Sequence, residues 1–211
     1  VEMKLKKTKT KQIIEQVEIL EAAAEGNCIA KVDDLVVFVP YVVPQDVVDL
    51  EIYKKKKNFA QAKAIRFHSH SPLRTEPMCN HFGVCGGCKW QNMNYQSQLT
   101  YKQKQVRDNL ERIAKADCSK MMSILPSAIQ KEYRNKLEFG CCDRRWFTKE
   151  ELNDDSLNLA EGNHSAIGFH ITGAFDKIYP ISKCWLMDDL HNKIRNEIER
   201  YAKEVGMTFY D

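Results

Sequence analysis

Cys79-Asn80-His81-Phe82-Gly83-Val84-Cys85-Gly86-Gly87-Cys88-Lys89-Trp90-Gln91 carries three cysteines spaced C-x5-C-x2-C, with a Gly-Gly pair inside the tighter interval. Thiolates that converge on one metal group need a backbone that turns tightly around it, and glycine permits such turns. Backbone N–H groups in a loop of this kind can also point at metal-bound sulfur and stabilise its negative charge. The spacing favours an iron–sulfur group over zinc, whose knuckles use two paired C-x2-C units. Three ligands are one short of the usual four.

The fourth must come from Cys28, Cys118, Cys141, Cys142 or Cys184. Cys28 lies in a predicted strand and reads as a small buried hydrophobe. Cys141 and Cys142 are adjacent, so on a strand they point to opposite faces and cannot both serve. Cys118 follows a predicted helix end and remains open. Cys184 closes the last predicted strand and is preferred.

The chain has 211 residues, 43% of them hydrophobic and 29% charged. These values place it among globular proteins with one large domain or two small ones. No apolar run is long enough to span a membrane and no apolar signal core follows the lysine-rich start, so a cytoplasmic location is expected. In reducing cytosol, eight cysteines suit metal binding better than a disulfide framework. The net charge of +3 is unevenly spread: Lys89–Lys136 holds ten basic against four acidic residues, and 137–211 nine against fourteen. A basic middle suits a phosphate backbone, though a solvated helix face has the same composition.

N-terminal to the cysteines the pattern is β-like. Ile13–Leu20, Asn27–Val32, Leu35–Val39, Val47–Tyr53 and Ala60–Phe67 read as five short strands, which suggests a small closed or nearly closed barrel over 1–68. Four lysines, Lys54, Lys55, Lys56 and Lys57, end the fourth strand. They place charge at a hairpin tip and suit a polyanion. Tyr53 and Phe59 flank them, with core packing the first expectation for each. Residues 69–77 read as a linker, and 78–211 as a central domain. In it, Tyr95, Leu99, Val106, Leu110 and Ile113 give a helical period over about 94–116. Strands are predicted at Arg134–Cys142, Ala166–Ile171 and Phe175–Ile181. A polar, acidic excursion spans Thr148–His164 and a surface helix Met187–Val205. Lys89, Lys102, Lys104, Arg107, Arg134 and Lys136 form a second basic group, of which Lys89, Lys102, Arg134 and Lys136 are the candidate RNA contacts.

The cysteine motif with Gln91, the helix residues Tyr95, Gln98 and Lys102, and the segment Tyr133-Arg134-Asn135-Lys136-Leu137-Glu138-Phe139 together resemble the iron–sulfur RNA (uracil-5-)-methyltransferases of the 23S rRNA type. Ile167-Gly168-Phe169-His170, Phe175-Asp176-Lys177 and Lys183-Cys184 extend the likeness over nearly the whole chain. The resemblance implies a 4Fe–4S cluster on Cys79, Cys85, Cys88 and Cys184, and it names the N-terminal module a TRAM domain that binds RNA. The implied class is α+β: an OB-like β-barrel, then a central α/β domain with an antiparallel sheet and the cluster loop.

Methyl transfer in that family uses a nucleophilic cysteine, a general base and S-adenosylmethionine in a doubly wound domain. No glycine-rich loop after a strand and no Asp-Pro-Pro-Arg segment occurs here. The expectation is therefore a truncated piece of a longer enzyme. In it the Rossmann-like domain is absent, no catalytic residue is present and the chain alone is inactive. RNA is the expected partner, 23S rRNA before tRNA, with the chain monomeric. The alternative is a stand-alone zinc-containing RNA-binding module.

Overall fold

Leu35-Val-Val-Phe-Val-Pro40 forms a strand because its β-branched and aromatic side chains pack well on a pleated surface, and its alternation buries Val37 and Val39 completely. The computed structural model describes residues 12–154, 156–157 and 164–209. The lysine-rich start at 1–11 and part of the acidic excursion lie outside the described residues. The chain divides into two compact units, Val1–Glu76 with Asn92–Ile124, and Pro77–Gln91 with Leu125–Asp211.

In the first unit β1 (Gln12–Glu18), β2 (Glu21–Ala22), β3 (Asn27–Val32), β4 (Leu35–Pro40), β5 (Val47–Lys55) and β6 (Phe59–Ser69) form one sheet. Its order is β1-β5-β6-β4-β3-β2. β4 and β6 run parallel and the other pairs antiparallel, so the sheet is mixed. The sixth strand, β2, has two residues and is too short to leave a sequence period. Only Ile19 and Leu20 separate β1 from β2, which stand at opposite ends of the order; the chain therefore draws the two sheet edges together. The enclosed side chains include Val17, Ile19, Cys28, Val37, Val39, Val48 and Leu50. Cys28 is fully buried, its Sγ–H donates to Val42 O, and burial pushes its pKa up to about 12. It stays a neutral thiol.

One buried carboxylate organises the approach to β5 and the chain beyond β6. Asp46 accepts from the N–H groups of Val43 and Ser71 and from both forks of Arg74, at 2.6–2.9 Å. Four donors on one carboxylate satisfy it away from water. The stretch read as a linker, 69–77, is thus partly tied down.

Helix α1 (Tyr95–Arg112) starts at Asn94, whose side chain accepts from Ser97 N–H, a standard N-cap. It stops short of the expected 116 and groups with the first unit, whereas the sequence pattern places it in the central domain. Of its periodic apolar residues Leu99 is buried, while Val106, Leu110 and Ile113 are exposed.

The second unit holds an antiparallel sheet of β7 (Gly140–Cys142), β8 (Ala166–His170) and β9 (Ile178–Pro180). It also holds a one-turn α2 (Lys149–Leu152) and α3 (Asp189–Glu204). The strand predicted over Arg134–Cys142 shrinks to β7. Upstream of it, Glu132 and Arg134 N–H groups donate to Trp185 O and Leu186 O, and Glu132 takes a φ of 57°, which breaks an extended run. Cys142 is buried and Cys141 exposed, as opposite faces of one strand require. At Gly168 a Cβ would stand 1.9 Å from Tyr179 O on β9. Gly168→Ala is therefore expected to destabilise this unit by about 2 kcal/mol or more, read as a lower melting temperature; an unchanged melt would contradict that packing.

Candidate metal centre

The loop 79–91 is built from short-range hydrogen bonds. Phe82 N–H donates to Cys79 O, and the Val84 and Cys85 N–H groups to His81 O. Gln91 closes the loop by accepting from Cys79 N–H at 3.1 Å. Gly83, at φ 93°, supplies the left-handed residue. Gly86 has a different use: its N–H donates to His170 O at 3.0 Å, and a Cβ there would stand 2.6 Å from that oxygen. The first glycine of the pair is thus demanded by close approach to the end of β8, and the loop is stitched there by a bridge between Cys85 and Ile171.

Cys79, Cys85, Cys88 and Cys184 line one cavity of about 70 Å³, walled by Phe82, Leu137, Phe169, Ile181 and Leu186. The fourth member comes from a segment remote in sequence. Cys184 N–H donates to Asn192 Oδ1 at 2.7 Å and Asn192 Nδ2 returns to Cys184 O at 3.0 Å, so one α3 side chain grips both backbone groups of this cysteine. Ile181, Cys184 and Met187 form a small apolar cluster against which Leu137, Phe139, Phe169, Tyr179 and Leu186 pack.

The electrostatics are those of a donor set. Burial pushes the thiols of Cys79, Cys85 and Cys184 above their ordinary pKa, and Cys88, Cys79 and Cys184 push Cys85 further. Opposing this, backbone N–H groups favour the thiolates: those of His81 and Phe82 at Cys79, Gly87 at Cys85, and Leu186 and Met187 at Cys184. Amides aimed at sulfur in an apolar cavity stabilise thiolates once a cation has displaced their protons. Among the described residues no group of three or more His, Cys, Asp or Glu is drawn together tightly enough to hold a metal ion. The cavity is thus a gathered set of donors and not a closed coordination sphere. His81 stands beside it, Nδ1 at 3.8 Å from Cys79 Sγ and Nε2 accepting from Ser182 N–H at 3.4 Å.

The candidate RNA contacts divide between the units. Lys54 and Lys55 end β5, Lys56 and Lys57 turn toward β6, and all four are exposed. Tyr53 beside them is 58% exposed, contrary to its expected core role. Phe59 is half-buried and packs on Phe38 with centroids 5.9 Å apart. Lys102 is exposed on α1. In the second unit Lys89 Nζ donates to Thr172 Oγ1 at 3.2 Å, Arg134 lines the cysteine cavity, and Lys136 pairs with Glu138 at 2.7 Å. Amides aimed at sulfur were expected within the loop, but Asn192, Arg195 and the amides of Leu186 and Met187 at Cys184 are missing from the sequence reading. Their partners are set by α3 packing, which leaves no local signal.

Residues 12–65 match the TRAM domain family. Relatives include uncharacterized RNA methyltransferases of Bacteroides thetaiotaomicron, 54% identical, and Porphyromonas gingivalis, 41% identical, each aligned over 89% of this chain and 40% of the relative. Another, from Chlorobaculum tepidum, is 35% identical over 92% of this chain and 40% of its own length. The chain spans about 40% of the length of these relatives. A solved tRNA (uracil-54, C5)-methyltransferase of Pyrococcus abyssi, in complex with S-adenosyl-L-homocysteine, matches with a TM-score of 0.54 at 21% identity. That match covers 90% of this chain and 37% of the other; at such identity it speaks to fold.

The expected fold class does not stand. It defines the chain by an absent Rossmann-like domain, yet nine-tenths of the chain matches the fold of part of that solved structure and the N-terminal sheet is mixed. Nothing in that match describes a missing domain. Failing to find a glycine-rich loop or a nucleophile segment is a statement about local pattern, and local pattern reports tertiary architecture poorly. The expectation of a chain without a catalytic domain, inactive by itself, loses its support with it.

Proposed function

We propose that this chain recognises RNA and holds an iron–sulfur cluster within an S-adenosylmethionine-dependent RNA (uracil-5-)-methyltransferase. The observation that carries the reading is the one cavity that Cys79, Cys85, Cys88 and Cys184 share; the TRAM match of residues 12–65 and relatives named RNA methyltransferases support it. A stand-alone zinc-containing RNA-binding module has no such relatives behind it.

The residues present fit a 4Fe–4S cluster. Four thiols line one apolar cavity, amides favour the ionised forms of Cys79, Cys85 and Cys184, and each thiol would ligate one iron. Bound there, the cluster supplies a cross-link between the loop 79–91 and the segment that leads into α3, with no redox change required. Gln91 and Gly86 hold the loop, Asn192 holds Cys184, and the apolar walls exclude water. The methyl donor of such an enzyme is S-adenosylmethionine, to which we assign no described residue.

RNA recognition is assigned first to Lys54, Lys55, Lys56 and Lys57 with Tyr53, then to Lys89, Lys102, Arg134 and Lys136. Each lysine that neutralises a phosphate adds roughly 0.7–0.9 to the slope of log affinity against log salt. Replacing Lys54–Lys57 together by alanine is expected to lower that slope by about 3 and to weaken binding at low salt, measured by anisotropy with a single-stranded RNA. An unchanged slope would remove this hairpin from the interface.

The test of the whole reading is anaerobic purification followed by iron and sulfide analysis and assay of methyl transfer to uridine. The expected result is about four irons and four sulfides per chain, with 23S rRNA fragments methylated in preference to tRNA. One tight zinc and no transferred methyl group would overturn it.

A further inference from the structure

We propose that Arg195 is the positioning residue of the four-cysteine site and its buried counter-charge. The inference rests on the reading that those cysteines hold an iron–sulfur cluster.

Arg195 lies on the inner face of α3 and is only 4% exposed. Its guanidinium reaches three backbone carbonyls. Nη1 donates to Ile167 O on β8 at 2.9 Å, and Nη2 to Ile181 O and, at 3.3 Å, to Ser182 O. The last two oxygens belong to the segment that delivers Cys184. One helical turn earlier, Asn192 holds that cysteine's own N–H and C=O. Two buried α3 side chains therefore fix the segment 181–184 from one side, and Arg195 ties it to the strand whose far end receives the cysteine loop through Gly86. A planar fork with several donors can hold separate carbonyls at once, which an ammonium cannot do in fixed directions.

The charge on this group is only partly matched. Its carboxylate partner is Glu199 at 3.2 Å, and Glu199 also receives Lys203 at 2.8 Å. One anion between two cations leaves a net positive charge. The Arg195 Nε–H is buried with no hydrogen-bond acceptor among the described residues. That charge sits on the carbonyl oxygens of Ile181 and Ser182, which lead directly into Cys184 at the site. Four thiolates around a cluster carry net negative charge in an apolar cavity, and a fixed buried cation offsets part of it.

The experiment uses the full chain, reconstituted anaerobically with iron and sulfide, as the parent, Arg195→Lys and Arg195→Gln. Iron loss to a chelator and the reduction potential are both measured. Arg195→Gln is expected to lose iron roughly 10-fold faster or more, and its potential to move to more negative values. Removing a positive charge disfavours the reduced, more negative state, and a merely structural role would leave the potential where it was. Arg195→Lys keeps the charge but not the fork, so its potential stays near the parent's while iron loss still quickens. If Arg195→Gln retains no iron, the lysine variant decides alone: faster loss at the parental potential supports the inference, and parental kinetics overturn it. A glutamine variant with the parent's potential overturns the counter-charge. A parent that takes up no iron overturns the cysteine reading itself, which is a distinct result from a parent that loads and variants that match it.

Discussion

Replacing Cys184 by serine is expected to abolish stable iron and sulfide binding, while Cys118→Ser and Cys28→Ser leave it intact. The argument is geometric. Three candidate ligands sit within ten residues on one loop, and the fourth arrives 96 residues after Cys88. Cys184 shares their cavity and is gripped by Asn192 on both backbone groups. Cys118 and Cys28 belong to the other unit. Cys28 is also held as a neutral thiol by a burial-raised pKa of about 12. Serine is nearly isosteric but a far poorer ligand for iron, so the variant should keep the shape of the site and fail at loading. The loss should exceed the ~10–100-fold effect of removing an outer partner of a metal site. Visible absorption, iron and sulfide are the readouts. A Cys184→Ser protein with the parent's iron content would sink the ligand assignment, and a Cys118→Ser protein without iron would move it.

Asp46→Ala is expected to lower the stability of the first unit by about 3–5 kcal/mol, the range for breaking a buried ion pair by removing one partner. The carboxylate is fully buried and takes four hydrogen bonds, two of them from backbone N–H groups. Alanine leaves Val43 N–H and Ser71 N–H without this acceptor and leaves Arg74 without its anion. Arg74→Met should cost less, because the carboxylate keeps both amides. Urea unfolding of the two single variants and the double variant measures this. A loss below about 1 kcal/mol for Asp46→Ala would show that Asp46 does not organise the 43–74 region.

The extent to which the molecule was legible follows from the range of each interaction. The strand at 27–32 was read to the residue and the one at 35–40 to within one, because alternation of buried and exposed positions is local and period two survives in one sequence. Cys141 and Cys142 fell on opposite faces for the same reason. The helix of 95–112 was visible as a period, but its apolar positions misled: Val106, Leu110 and Ile113 are exposed, and periodicity reports a stripe without saying what covers it. The strand expected at 134–142 failed because residues 132–134 bond to 185–186, a pairing that no local propensity encodes. The frame built on a missing domain failed because an unseen motif is no structural observation.

By itself, the sequence determined the composition of the loop 79–91, its three thiols and glycines, and the positions along the chain of five of the six strands in the N-terminal sheet. These depend on φ/ψ preference, side-chain period and spacing, all short-range properties. The sequence also offered Cys184 as the preferred fourth thiol among five, and the tertiary structure brings it to the cavity of the loop cysteines; tertiary structure alone decided that Gly86 is held by close approach to His170 O. It alone set Asn192 and Arg195 as the grip on the Cys184 segment and Asp46 as the lock between β5 and Arg74. Each of these is a contact between groups far apart in the chain, where hydrogen-bond satisfaction of buried polar atoms selects the partner, and a polar residue on a helix does not announce which carbonyl it will meet.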